Sequence, residues 1–134
     1  MSASATKDSS LEFFVRAANK HDFSLDITLN VNGAMITGTT ISAQEYFETL
    51  GESFEDGNEV SQKLSEEFLK AGEAAEGGGD DSINFIHLKN TKVYLAESKG
   101  TPSKGKILWR GKIEEVNGFF LGKITESKST SSSK

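Results

Sequence analysis

A chain of 134 residues, 35% hydrophobic and 26% charged, is long enough for one packed domain and too short for two. It contains no cysteine, which excludes disulfides, thiolate metal sites and cysteine nucleophiles, and no apolar run near the ~18 residues that mark a membrane helix. The net charge of −5 is segregated: residues 43–81 carry −10, whereas residues 82–134 carry +6. Such segregation bears on association and solubility rather than on fold.

The opening residues 1–10, "MSASATKDSS", are small and polar and are expected to be a disordered tail. Ser9 and Glu12 have capping-box spacing, and Leu11, Phe14, Val15 and Ala18 recur at helical spacing, so a helix is predicted over Leu11–Lys20. The period then changes. Phe23, Leu25, Ile27, Leu29 and Val31 alternate with Ser24, Asp26, Thr28 and Asn30, which predicts a strand with one buried and one solvated face. Asn32-Gly33 suits a tight hairpin turn into a second strand, "AMITGTTI".

Ser42 and Glu45 form another capping box ahead of Tyr46, Phe47 and Leu50. A further helix is predicted from Glu59 to about Ala75, with Val60, Leu64 and Phe68 on one stripe, ending at the glycines of "EGGGDD". Residues 43–81 thus form an acidic helical insertion. Next, "INFIHLKNTKVYLAE" reads as two strands turning near Asn90-Thr91. "KILWRGKIEEVNGFFLGKI" reads as two more, turning at a second Asn-Gly, Asn117-Gly118. The expectation is one α+β domain over residues 11–125: an N-terminal helix and about six antiparallel strands in a curled sheet or small barrel. Residues 126–134 are expected to be a disordered tail.

No catalytic set emerges from these residues. "GTPSKGKI", Gly100–Ile107, has the spacing of a phosphate-binding loop, but Ile107 replaces the Mg²⁺-binding Ser or Thr and a strand pattern follows where a helix is required. His21 ends a predicted helix and His87 lies in a strand; neither has metal-ligand spacing, and the acids Glu52, Glu55, Asp56 and Glu59 lack a calcium-loop pattern. No cofactor or metal is expected. Trp109 and Arg110, flanked by Lys104, Lys106 and Lys112, are the residue types that stack and clamp single-stranded nucleic acid, and the helix-then-hairpin opening with "RG" loosely resembles Sm-like barrels. Asn30 stands where that pattern needs an apolar residue, and an acidic chain repels phosphate. A nucleic-acid-binding Sm-like barrel is therefore the alternative reading.

The stretches "LEFFVRAANKHDFSLDITLNVNGAMITGTTISAQEYF", "NFIHLKNTKVYL" and "TPSKGKILWRGKIEEVNGFFLGKI" resemble the gas vesicle accessory protein family GvpU of bacilli, over about Leu11–Ile124. The resemblance implies a small cytoplasmic, non-enzymatic protein associated with gas vesicles and tied to their assembly or clustering. Its implied partner is the vesicle shell protein; self-association would supply the cross-link, with no membrane contact. The residues expected to meet a partner are Lys104, Lys106, Trp109, Arg110, Lys112, Phe119 and Phe120, because basic and aromatic side chains on a sheet edge suit capture of another polypeptide.

Overall fold

The computed structural model describes residues 8–74, 84–95 and 107–124. Helix α1 spans Ser9–His21, and its N-cap is Asp8, whose carboxylate accepts from the Ser10 and Leu11 amides; the expected Ser9 cap is the first helical residue instead. A carboxylate at that position also faces the positive end of the helix dipole. Asp22 ends the helix in the left-handed conformation, φ 52°. Strands β1 (Asp26–Val31) and β2 (Ala34–Ile41) follow, joined at Asn32-Gly33, where both residues have positive φ, as a type I′ turn requires.

Helices α2 (Ala43–Glu52) and α3 (Glu59–Ala74) pair as a hairpin between β2 and β3. Ser42 caps α2 as its spacing predicts, its hydroxyl accepting from the Glu45 amide. Small residues let the two helices approach: a Cβ on Gly51 would lie 3.1 Å from Leu69, and one on Gly72 would lie 3.3 Å from the Gln44 carbonyl.

Strand β3 (Phe85–Leu95) runs straight through the place where a turn was expected. Asn90 is left-handed, φ 54°, but the pairing register merely shifts around it, so it makes a bulge, and the strands among the described residues number five. β4 (Ile107–Lys112) pairs with β3, and a short 3-10 turn, Ile113–Glu115, leads to β5 (Gly118–Leu121). The second Asn-Gly does not close a hairpin. β5 pairs with β1 on the far side, giving the antiparallel order β4-β3-β2-β1-β5. Asn117 instead donates its amide to the Asn30 carbonyl (2.7 Å), while its side chain accepts from the Asn32 amide (2.7 Å), tying the link to the first turn.

A flat five-stranded sheet would hold its edges ~19 Å apart. The link 113–117, shortened by its 3-10 turn, reaches only about 16 Å. The sheet therefore bends, but it stays open, because β4 and β5 do not pair. Gly38 marks the tightest approach: a Cβ there would lie 2.9 Å from Thr91 Oγ1 and 3.0 Å from the Lys89 carbonyl.

One face holds the core: Ile27, Leu29, Ile36, Ile86, Leu88 and Ile113, closed by Leu11 and Val15 of α1. The other face is covered in two places. α2 and α3 lie over its β3 side through Tyr46, Phe47 and Phe68, and residues 122–124 cross its β1–β2 side. Thr28, expected to face solvent, is consequently fully buried, whereas Phe23, expected inside, precedes the strand and is exposed.

Candidate partner-binding surface

The seven expected contact residues do not form one patch. Lys104 and Lys106 lie outside the described residues, as does most of the Gly100–Ile107 loop; its described end, Ile107, opens a strand and not a helix. Trp109 pairs with Leu88 on the core side of β4, packs against the core, and lays its indole over Gly111, where a Cβ would meet the ring. Phe119 also turns inward, its ring edge-on to Phe14 at 6.1 Å. Arg110 and Lys112 project from the opposite side of β4 and are exposed, while Phe120 is exposed on β5, at the other end of the sheet. Trp109 and Arg110 are adjacent in sequence but on opposite faces, so the stacking clamp suggested by their proximity is not assembled.

The β4 edge does contain a built arrangement around Arg110. Its Nε donates to His87 Nε2 at 3.2 Å, across the register pair His87–Arg110. Its guanidinium carbon stands 3.7 Å from the Phe85 ring centre and 5.6 Å from that of Phe47, within cation–π range of both. His87 is buried and packed on Tyr46 at 4.7 Å between ring centres. Burial, assisted by the Arg110 charge, lowers its pKa to about 4. The imidazole is therefore neutral at pH 7, and because Nε2 accepts, its proton sits on Nδ1, which has no hydrogen-bond partner. Among the described residues no carboxylate pairs with Arg110, although ion pairs join Lys89 to Glu45 at 3.2 Å and Lys123 to Asp26 at 3.8 Å.

Next to Arg110, a cavity of about 210 Å³ opens between α2 and the start of β4, lined by Glu45, Thr49, Lys89, Asn90, Ile107 and Leu108. The sequence pattern identified Arg110 but not its support. Phe85-x-His87 has strand alternation, yet only the β3–β4 register brings it beside Arg110, and only the helical hairpin brings Phe47 over both.

Among the described residues no three His, Asp or Glu side chains gather as metal ligands, and no helix is long and apolar enough to cross a membrane. His21 is exposed at the end of α1. No curated protein and no solved structure matches the chain. The profile of one family, described as "Gas vesicle protein GvpU-like", matches residues 8–124, from the cap of α1 to the residues that cross the sheet after β5. With residues 8–124 of 134 matched, the chain belongs to the GvpU-like family of gas vesicle proteins.

Proposed function

We propose that this protein is a non-enzymatic, cytoplasmic accessory that binds gas vesicles through their shell protein and promotes or regulates their clustering by self-association. The observation that carries the reading is one open sheet whose two edge strands, unpaired on their outer sides among the described residues, differ in chemistry. β4 presents Arg110 and Lys112, and β5 presents Phe120 and Leu121, both exposed. A strand edge can take an extended segment of another chain through backbone hydrogen bonds. Two edges on one molecule permit two simultaneous contacts, the minimum for a bridge, and many copies on each vesicle multiply a weak contact into a stable one.

The nucleic-acid alternative loses its main support once Trp109 faces the core. The deciding experiment mixes purified protein with purified vesicles and measures both co-sedimentation and vesicle aggregation. Binding with aggregation is the expected outcome. Protein that stays in the supernatant, together with a salt-sensitive shift of single-stranded RNA on a gel, would replace this reading with the alternative.

A further inference from the structure

We propose that the outer edge of β4 is a strand-addition site for an extended segment of another protein with the pattern acid-x-acid-x-apolar. The inference rests on the reading that a sheet edge captures partner polypeptide, and it specifies the chemistry of that partner.

Three features of the edge coincide. Leu108, Arg110 and Lys112 alternate along β4 and share one face, so their side chains are spaced by about 6.8 Å, the two-residue repeat of a strand. Arg110 is fixed by Phe85 and His87 and carries a full charge that no described carboxylate neutralises. A guanidinium held at Nε by His87 and over the Phe85 ring offers its two terminal nitrogens as a ready fork for a carboxylate. At the other end of the row, Leu108 borders the 210 Å³ cavity beneath α2, which is of a size to receive an aliphatic side chain.

A segment added antiparallel to β4 begins beside Lys112 and ends beside Leu108. From its N-terminus it would place one acid against Lys112, a second against Arg110, and an apolar side chain at the cavity. The residues between them point to the other face and are unconstrained by this contact. This chain cannot itself be the source, because nowhere in its 134 residues do two acids stand two positions apart. Its many carboxylates are spaced for helices. Charge complementarity therefore selects a different protein as the occupant, not a second copy.

The test uses the full-length protein and a synthetic nonapeptide centred on Glu-Val-Glu-Val-Leu, with a Gln-Val-Gln-Val-Leu control, read by fluorescence anisotropy and by amide chemical shifts. Saturable binding is expected, with shifts concentrated in β4 and about tenfold weaker affinity for the Gln peptide. Arg110→Gln should also weaken binding about tenfold. Because that substitution touches His87, Lys112→Glu serves as a second variant on an exposed side chain and should lose the Glu peptide while melting like the wild type. Equal affinity for both peptides, wild-type binding by both variants, or shifts centred on β5 would overturn the proposal. So would concentration-dependent self-association that the peptide displaces, which would assign the edge to a second copy. Protein that co-sediments with vesicles but ignores the peptide would remove this site and leave the vesicle reading standing; the converse result would do the opposite.

Discussion

The hydroxyls of Thr28 and Thr37 lie 2.9 Å apart, facing each other across β1 and β2 beneath the chain that follows β5. The Thr28 hydroxyl donates to the Gly122 carbonyl at 2.8 Å, and the Ile124 amide donates to Thr37 Oγ1 at 3.0 Å. The proton count then fixes the direction of the middle bond: Thr37 donates to Thr28. A relay of three bonds thus fastens residues 122–124 over a sheet face that would otherwise be open. Tyr94 adds a longer hydroxyl contact to the Ile124 carbonyl, and Lys123 reaches Asp26.

Thr28 is therefore a buried polar residue whose partners are all buried or half-buried. Thr28→Val leaves the Gly122 carbonyl without its donor and the Thr37 hydroxyl proton without its acceptor, and should cost about 1–3 kcal/mol. Thr28→Asp, which brings a charge into the same space, should cost more than Thr28→Val, and Thr28→Ser should stay near wild type. Urea unfolding of the three variants checks the order. Ile27→Asp, on the core face, should be at least as damaging as Thr28→Asp, whereas a half-solvated strand would have made Thr28→Asp mild.

His87 gives stability a defined pH dependence. Its folded pKa of about 4 lies below the usual 6.5, so the unfolded chain takes up the proton first as pH falls. Its contribution is complete above pH 6.5, declines as pH drops, and is exhausted near pH 4. The total is on the order of 3 kcal/mol, from a shift of this size at 1.36 kcal/mol per pH unit. His87→Gln keeps an acceptor for Arg110 but does not titrate. Comparing urea midpoints of the wild type and this variant from pH 7 to 4 should show their stabilities diverging with pH below 6.5. Parallel curves would mean that His87 is not held neutral by the fold.

Glycine positions test the bend. Gly38→Ala would push a methyl against the Lys89 carbonyl and Thr91 Oγ1, one of them backbone that cannot rotate away, so about 1–3 kcal/mol of destabilisation is expected. Gly118 has open space around it and an ordinary backbone angle, and Gly118→Ala should be close to neutral. Thermal melts of the pair decide whether close packing across β2 and β3 is as tight as described.

The legible and illegible parts of this fold differ in the range of interaction behind them. Alternation at Ile27 and Leu29, the Asn32-Gly33 turn and the Ser42 cap are local, and all three appear as their residues suggest. Asn117-Gly118 and Asn90-Thr91 carry similar turn chemistry but were decided by distant partners. Asn117 uses its side chain to cap the Asn32 turn 85 residues away, and Asn90 supplies a bulge within a continuous strand. Thr28 looked solvated because nothing near it in sequence covers it; Gly122 does, 94 residues on. The candidate surface divides in the same way. Arg110 was visible as a residue type, while the partners that orient it, His87, Phe85 and Phe47, become visible only through strand register and helix docking.

Trp109 and Arg110 should therefore separate packing from contact. Trp109→Ala removes a half-buried indole from the core side and should lower stability by about 2 kcal/mol, so weaker vesicle binding in that variant would carry no information about a contact. Lys112→Glu should leave the melt unchanged and still reduce co-sedimentation with vesicles. If it binds vesicles as the wild type does, the β4 edge is not the vesicle-facing surface.

Salt should distinguish the force that joins one copy to another. Glu66, Glu67 and Glu73 are exposed on α3, within a segment carrying −10, while Lys92 on β3 and Lys123 after β5 are half-exposed away from the β4 edge, within a segment carrying +6. Opposite segments of neighbouring molecules attract at contact distance, whereas the net charge of −5 repels more diffusely. Attraction of this kind operates within a Debye length, about 10 Å at 0.1 M salt and about 3 Å at 1 M. Vesicle clusters formed at low ionic strength should therefore loosen as NaCl rises, by light scattering or microscopy. Changing Glu66, Glu67 and Glu73 to Gln should produce the same loosening without added salt, since these side chains are solvated and their loss leaves the core intact. The competing force is apolar: Phe120 and Leu121 on β5 and Phe13 on α1 are all exposed. Contact through those side chains would strengthen or persist in salt and would ignore the Gln substitutions. Clusters that tighten at 1 M NaCl would thus move the self-association surface from the charged segments to the β5 edge.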